Sequence, residues 1–106
     1  MALRVRVCRV DDVRRDVVNA FRVSGVTWPV IITRITDTDE LVATAGVCPH
    51  EDVSLADGHL DGDTLVCPGH GYGFDLHSGR CRHDASLVLR RYAVMVVGDE
   101  VWVDLL

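Results

Sequence analysis

Four side chains, Cys48, His50, Cys67 and His70, fall in two short segments that each pair one thiol with one imidazole. The first segment reads Cys48-Pro49-His50-Glu51-Asp52-Val53. The second reads Cys67-Pro68-Gly69-His70-Gly71-Tyr72-Gly73-Phe74, and sixteen residues separate His50 from Cys67. A thiolate is a soft, charged donor suited to iron or zinc, and a neutral imidazole suits the same metals without adding charge. Two of each leave two candidates. A single zinc ion could take all four as a tetrahedron, but one residue separates Cys48 from His50 where two to four are usual. A two-iron cluster removes that difficulty, because ligands from one loop can serve different irons. Cys48 and Cys67 would then hold an inner iron and His50 and His70 an outer one.

The elements that must position these loops read as strands, because Val dominates and apolar residues alternate or run briefly between turn signals. Candidate strands are Leu3 to Val10, Ala20 to Val23, Pro29 to Ile35, Leu41 to Val47, Leu65 to Cys67, Tyr72 to Leu76, Leu87 to Val97 and Glu100 to Leu105. Turns are expected at Asp37-Thr38-Asp39-Glu40, Asp61-Gly62-Asp63, Ser78-Gly79 and Gly98-Asp99, and the Val10 to Val17 stretch has room for one helical turn. Such frequent turns point to an antiparallel sandwich or small barrel. Pro49 and Pro68 fix φ beside each cysteine, while Gly69, Gly71 and Gly73 let the backbone pass close to a bound group and offer N–H donors. The run Gly69-His70-Gly71-Tyr72-Gly73 is not a dinucleotide fingerprint, since Phe74 occupies the third glycine position and no helix pattern follows. His59, His77 and His83 lack a partnering Cys and are expected at the surface. Cys8, Cys81, Trp28 and Trp102 are expected to fill the core.

At 106 residues, with 48% hydrophobic content, the chain suits one domain with a modest core. The net charge is -5 and the eleven basic residues, all Arg, are scattered, so nucleic acid is not an expected partner. No apolar run approaches the roughly 20 residues of a membrane span, and Met1 to Arg6 has no apolar block of a secretory signal. A cytoplasmic setting follows as an expectation. A reducing cytosol favours metal binding over disulfides for clustered Cys and His.

Cys-x-His, sixteen residues, then Cys-x-x-His resembles the signature of Rieske [2Fe-2S] proteins, in which two His replace two Cys on one iron. The glycines around His70, the Phe74-Asp75 pair and the turn at Gly79 are similar to the family's cluster-binding subdomain, and the flanking strands to its base. The resemblance implies an all-β fold: a Rieske-like antiparallel β-sandwich or partial-barrel base (1–46 and 84–106) with a smaller cluster-binding subdomain of two metal loops (47–83), together one domain. It also implies one [2Fe-2S] cluster per chain, held by Cys48, His50, Cys67 and His70. Respiratory members carry an extra Cys in each loop, joined as a disulfide; Val53 and Gly69 stand at those positions. Those members also place Ser and Tyr hydroxyls near the cluster, where this chain has Tyr72 and Phe74. Fewer donors imply a potential toward the low end of the Rieske range, about -150 mV.

With four protein ligands saturating both irons, the resemblance implies an electron carrier and not an enzyme. Relatives of this size are ferredoxin components of bacterial oxygenase systems. They pass electrons from an NAD(P)H-dependent flavoprotein reductase to a terminal oxygenase acting on aromatic or similar hydrocarbons. Both partnerships would be transient, through loop tips edged by Glu51 and Asp52, and the carrier a monomer. The alternatives are a small Rieske-like subunit of an assimilatory nitrite reductase and a structural zinc module.

Overall fold

Short alternating segments separated by glycine turns build nine strands in two antiparallel sheets; the computed structural model describes residues 3–35 and 38–106. The strands are β1 (Arg4–Arg9), β2 (Asn19–Phe21), β3 (Val30–Arg34), β4 (Leu41–Ala45), β5 (His59–Asp61), β6 (Thr64–Val66), β7 (Gly73–Asp75), β8 (Arg91–Val97) and β9 (Glu100–Asp104). A six-stranded sheet curls in the order β1-β9-β8-β4-β3-β2, and a three-stranded sheet has the order β5-β6-β7. Helix is confined, among the described residues, to two 3-10 turns, Val10–Asp12 and Leu55–Asp57. The all-β expectation, with a half-barrel base and a smaller unit carrying the two loops, is what the structure shows.

β3 is the wall on which both halves rest. Its Val30, Ile31, Ile32 and Thr33 are all buried, because the strand has core on both faces. Ile31 joins Val42, Leu55, Leu65, Phe74, Leu76 and Leu89 beneath the two loops. Ile32 turns the other way, to Val13, Ala43, Val101 and Val103 inside the half-barrel. Period-2 alternation therefore sends successive side chains into different cores. Cys8 belongs to the half-barrel core and Cys81 to the core under the loops, as expected of small hydrophobes.

Two expectations need correction, one strand was unforeseen, and one expected turn falls partly outside the described residues. Leu87 to Arg90 does not continue β8: Cys81 N–H donates to Leu87 O (3.0 Å) and Leu89 N–H to Gly79 O (2.7 Å), so this stretch serves the loop-bearing half. β5 was not expected, because His59-Leu60-Asp61 contains one apolar residue and shows no alternation. Trp28 and Trp102 are half-buried and lie outside both cores; Trp102 sits between the inward-facing Val101 and Val103 and so points to the opposite face. Asp37, the expected first residue of the β3–β4 turn, lies outside the described residues, as do Met1 and Ala2. The turn itself is closed by Ile35 N–H to Glu40 O at 2.8 Å and Asp39 N–H to Ile35 O at 2.9 Å.

Two outcomes follow from this packing. Gly46 ends β4 where the chain enters the first loop, and a Cβ there would collide with the Pro29 carbonyl. Gly46→Ala is expected to cost about 1–3 kcal/mol in denaturant unfolding, while Val97→Thr on the exposed face of β8 stays within about 0.5 kcal/mol. Burial, aided by the charge of Asp12 and opposed by Arg6, pushes the Cys8 thiol from 9.0 up to about 11. The folded protein thus favours the neutral thiol, so this contribution is complete below pH 9 and is lost as pH rises toward 11. Wild-type protein should lose stability across that window relative to Cys8→Val; parallel curves would refute the assignment.

Candidate metal centre

The two Cys/His segments form loops of equal length built on the same plan. The first, residues 48–53, is closed at its base by a bridge between Val47 and Ser54, and the second, residues 67–72, by the Val66–Gly73 pair of β6 and β7. In each loop the cysteine N–H donates to the carbonyl five residues ahead: Cys48 to Val53 at 3.0 Å and Cys67 to Tyr72 at 2.9 Å. The cysteine carbonyls accept from Glu51 N–H (3.2 Å) and Gly71 N–H (3.1 Å), so the second loop turns one residue later. That turn needs φ +72 at Gly71, a left-handed conformation glycine adopts without a steric cost. The offset explains why one histidine follows its cysteine by two residues and the other by three.

This plan brings all four expected residues together. Cys48 and Cys67 are each 2% exposed and belong to the apolar core under the loops. His50 and His70 stand at the exposed tips, ring centroids 5.0 Å apart and edge to face. Burial raises the Cys48 thiol pKa and the adjoining Cys67 thiol adds to the rise. The His50 and Glu51 N–H groups, directed at the Cys48 sulfur, pull the other way. Gly69 N–H approaches Cys67 Sγ at 3.5 Å. Amides aimed at sulfur favour its anionic form, the form that binds metal.

The donor set fits a [2Fe-2S] group of mixed ligation. Two soft sulfurs lie together in apolar surroundings, two imidazoles face solvent, and all four cysteines are free. Val53, at one position where some relatives have a bracing cysteine, is packed against the core, and Gly69 is exposed. Phe74 is fully buried and brings no hydroxyl.

Two participants were not legible as such in the sequence. Glu51, read there only as an acidic edge, places Oε1 2.8 Å from His70 Nδ1, and a Cβ on Gly69 would collide with its carboxylate. Donor atoms of His50, Glu51 and His70 all lie within 4.8 Å of one another. His83, expected to be a plain surface histidine, is exposed but packs its ring on Tyr72, which in turn packs on His50. The available signal was the Ser78-Gly79 turn, whose hairpin pairs Phe74 with Cys81 and so brings His83 opposite Tyr72. His59 is exposed on β5, paired across the sheet with Val66, and His77 Nε2 pairs with Asp63 at 3.0 Å. No helix among the described residues is long and apolar enough to cross a membrane.

Residues 4–93 match the model of the Rieske [2Fe-2S] domain family. The ferredoxin component of the alkene monooxygenase system of Xanthobacter autotrophicus is 31% identical over 98 residues, covering 92% of this chain and 77% of that protein. A chain in the complex of reduced oxygenase and oxidized ferredoxin in carbazole 1,9a-dioxygenase superposes with a TM-score of 0.82 at 29% identity, covering 95% of this chain and 92% of that one. A structure described as a putative NADH-dependent nitrite reductase small subunit from Mycobacterium tuberculosis has a TM-score of 0.83 over 100% of this chain and 97% of that one, but at 17% identity, a likeness of fold alone.

Proposed function

The chain belongs to the Rieske [2Fe-2S] domain family and is an electron carrier with a cluster of that type, and from this premise we propose which residues hold the cluster and whom the carrier serves. Cys48 and Cys67 are the ligands of the inner iron and His50 and His70 those of the outer one. The observation that carries this is the pair of matched six-residue loops, with two buried thiols and two exposed imidazoles. Residues 47–83 act as the cluster-binding subdomain on a base drawn from 1–46 and 84–106, with Leu87 to Arg90 reaching out of that base to the loop-bearing half.

When bound, the cluster takes up and returns a single electron. The chain's own residues determine where that happens. The apolar side chains of Phe74, Leu65 and Leu89 keep water from the sulfurs, and the amides of His50, Glu51 and Gly69 offset their charge. The imidazoles of His50 and His70 form the short path to solvent. Around them Pro49, Pro68 and Gly69 are exposed, a small tip that suits a transient contact below roughly 1,200 Å². Asp52 and the half-buried Glu51 add negative charge that would steer a basic partner face.

The reading supported best is the ferredoxin component of an oxygenase system. In this role the chain would accept electrons from an NAD(P)H-dependent flavoprotein reductase and deliver them to a terminal oxygenase acting on aromatic or similar hydrocarbons. It would do so as a cytoplasmic monomer. Relatives near 30% identity along most of the chain are ferredoxins of such systems. A nitrite reductase subunit gains nothing specific from a shared fold at 17% identity.

Redox titration should give a midpoint near the low end of the Rieske range, about -150 mV, because Phe74 supplies no hydroxyl; a value far above zero would contradict this. His50→Cys or His70→Cys adds a negative charge at the outer iron. Each should abolish the Rieske EPR signal or lower the midpoint toward about -400 mV. His77→Ala should leave both unchanged, and loss of the cluster in that variant would refute the ligand assignment.

A further inference from the structure

Tyr72 and His83 belong to neither the ligand set nor the docking tips, yet they form an ordered stack on one of the imidazoles. The Tyr72 ring lies 4.1 Å from the His50 ring, inclined 27°, and the His83 ring lies 5.4 Å beyond it, inclined 15°. His50 also meets the His70 ring edge to face, centroids 5.0 Å apart. The three stacked rings come from three separate segments: the first loop, the second loop, and the return strand of the Ser78-Gly79 hairpin.

Each member is fixed by something else. Tyr72 closes the second loop through its carbonyl, which accepts from Cys67 N–H at 2.9 Å, and its half-buried ring packs against the core under the loops. His83 Nδ1 accepts from Gly73 N–H at 3.2 Å, so its imidazole is anchored to β7 one residue past Tyr72. The segment is held alongside by Arg82 N–H to Gly73 O at 2.7 Å. His50 is exposed at the tip of the first loop, and ring contacts are what hold its imidazole. Rotation of an imidazole about its terminal torsion is broad unless packing restricts it, and a ring free to turn does not keep one nitrogen aimed at a metal. The Tyr72 hydroxyl makes no hydrogen bond among the described residues, so the ring face is the part in use.

We infer that Tyr72, backed by His83, is a positioning residue that fixes the rotation of the His50 imidazole and so holds that ligand on the outer iron. This rests on the reading of His50 as a ligand. The stack ties the first loop to the second from outside, as the buried sulfurs tie them from inside. Aromatic stacking of this kind changes an equilibrium by about two- to twelve-fold beyond simple burial.

Pulsed EPR of the reduced protein, which resolves the nitrogen couplings of bound imidazoles, tests the inference alongside the rate of iron release to a chelator. In Tyr72→Ala one of two imidazole couplings should broaden or split, and iron release should quicken by about two- to twelve-fold. Tyr72→Phe should behave as wild type, and His83→Ala should move both readouts in the same direction by less. Tyr72→Leu, which keeps apolar volume without a ring, takes the place of Tyr72→Ala if that variant does not load. Couplings in the ring-less variant that match wild type, or a Tyr72→Phe protein that behaves like it, would overturn the inference. Wild-type protein with fewer than two imidazole couplings would instead defeat the ligand reading, and the inference with it.

Discussion

Two cysteine sulfurs buried side by side in an apolar core are the constraint on which the rest of this structure depends. Charge in such surroundings is costly unless it is paired or hydrogen-bonded, and the burial raises the Cys48 thiol accordingly. The chain offsets that cost locally with main-chain amides, from His50 and Glu51 toward one sulfur and from Gly69 toward the other. Amides can be aimed this way only if both loops are tightly closed. That explains why each cysteine donates its own N–H across a six-residue loop, and why the second loop needs a left-handed glycine at position 71.

The same constraint shapes the scaffold. β3 is buried on both faces because it must close the half-barrel on one side and support the sulfur-bearing core on the other. Leu87 to Arg90 leaves the path of β8 for the same reason, contributing Leu89 to the core beneath the loops and main-chain bonds to the Gly79 turn. The imidazoles face outward, where they incur little desolvation. Function divides along this line, with insulation where the thiols are and access where the histidines are.

Much of this was legible in the residues, and the exceptions have physical causes. The Cys/His spacing identified the ligand candidates because spacing within a tight loop translates directly into geometry. The strands of the half-barrel followed from alternation, and the turns at Gly62, Gly79 and Gly98 from the need for positive φ. β5 escaped because a three-residue strand with one apolar side chain has no period to detect. The aromatic stack escaped because Tyr72 and His83 meet only through hairpin register, and Glu51 because its contact with His70 crosses between loops. Trp102 was misjudged because size suggests burial, whereas strand alternation decides the face.

The central claim is that one side of the centre is sulfur-ligated and buried and the other imidazole-ligated and exposed. Anomalous diffraction at the iron edge from crystals of the loaded protein tests it most directly. Two iron peaks are predicted, the inner bonded to the sulfurs of Cys48 and Cys67 and the outer to ring nitrogens of His50 and His70. A single metal peak bound by all four residues, or an outer iron held by the Glu51 carboxylate in place of either imidazole, would contradict it.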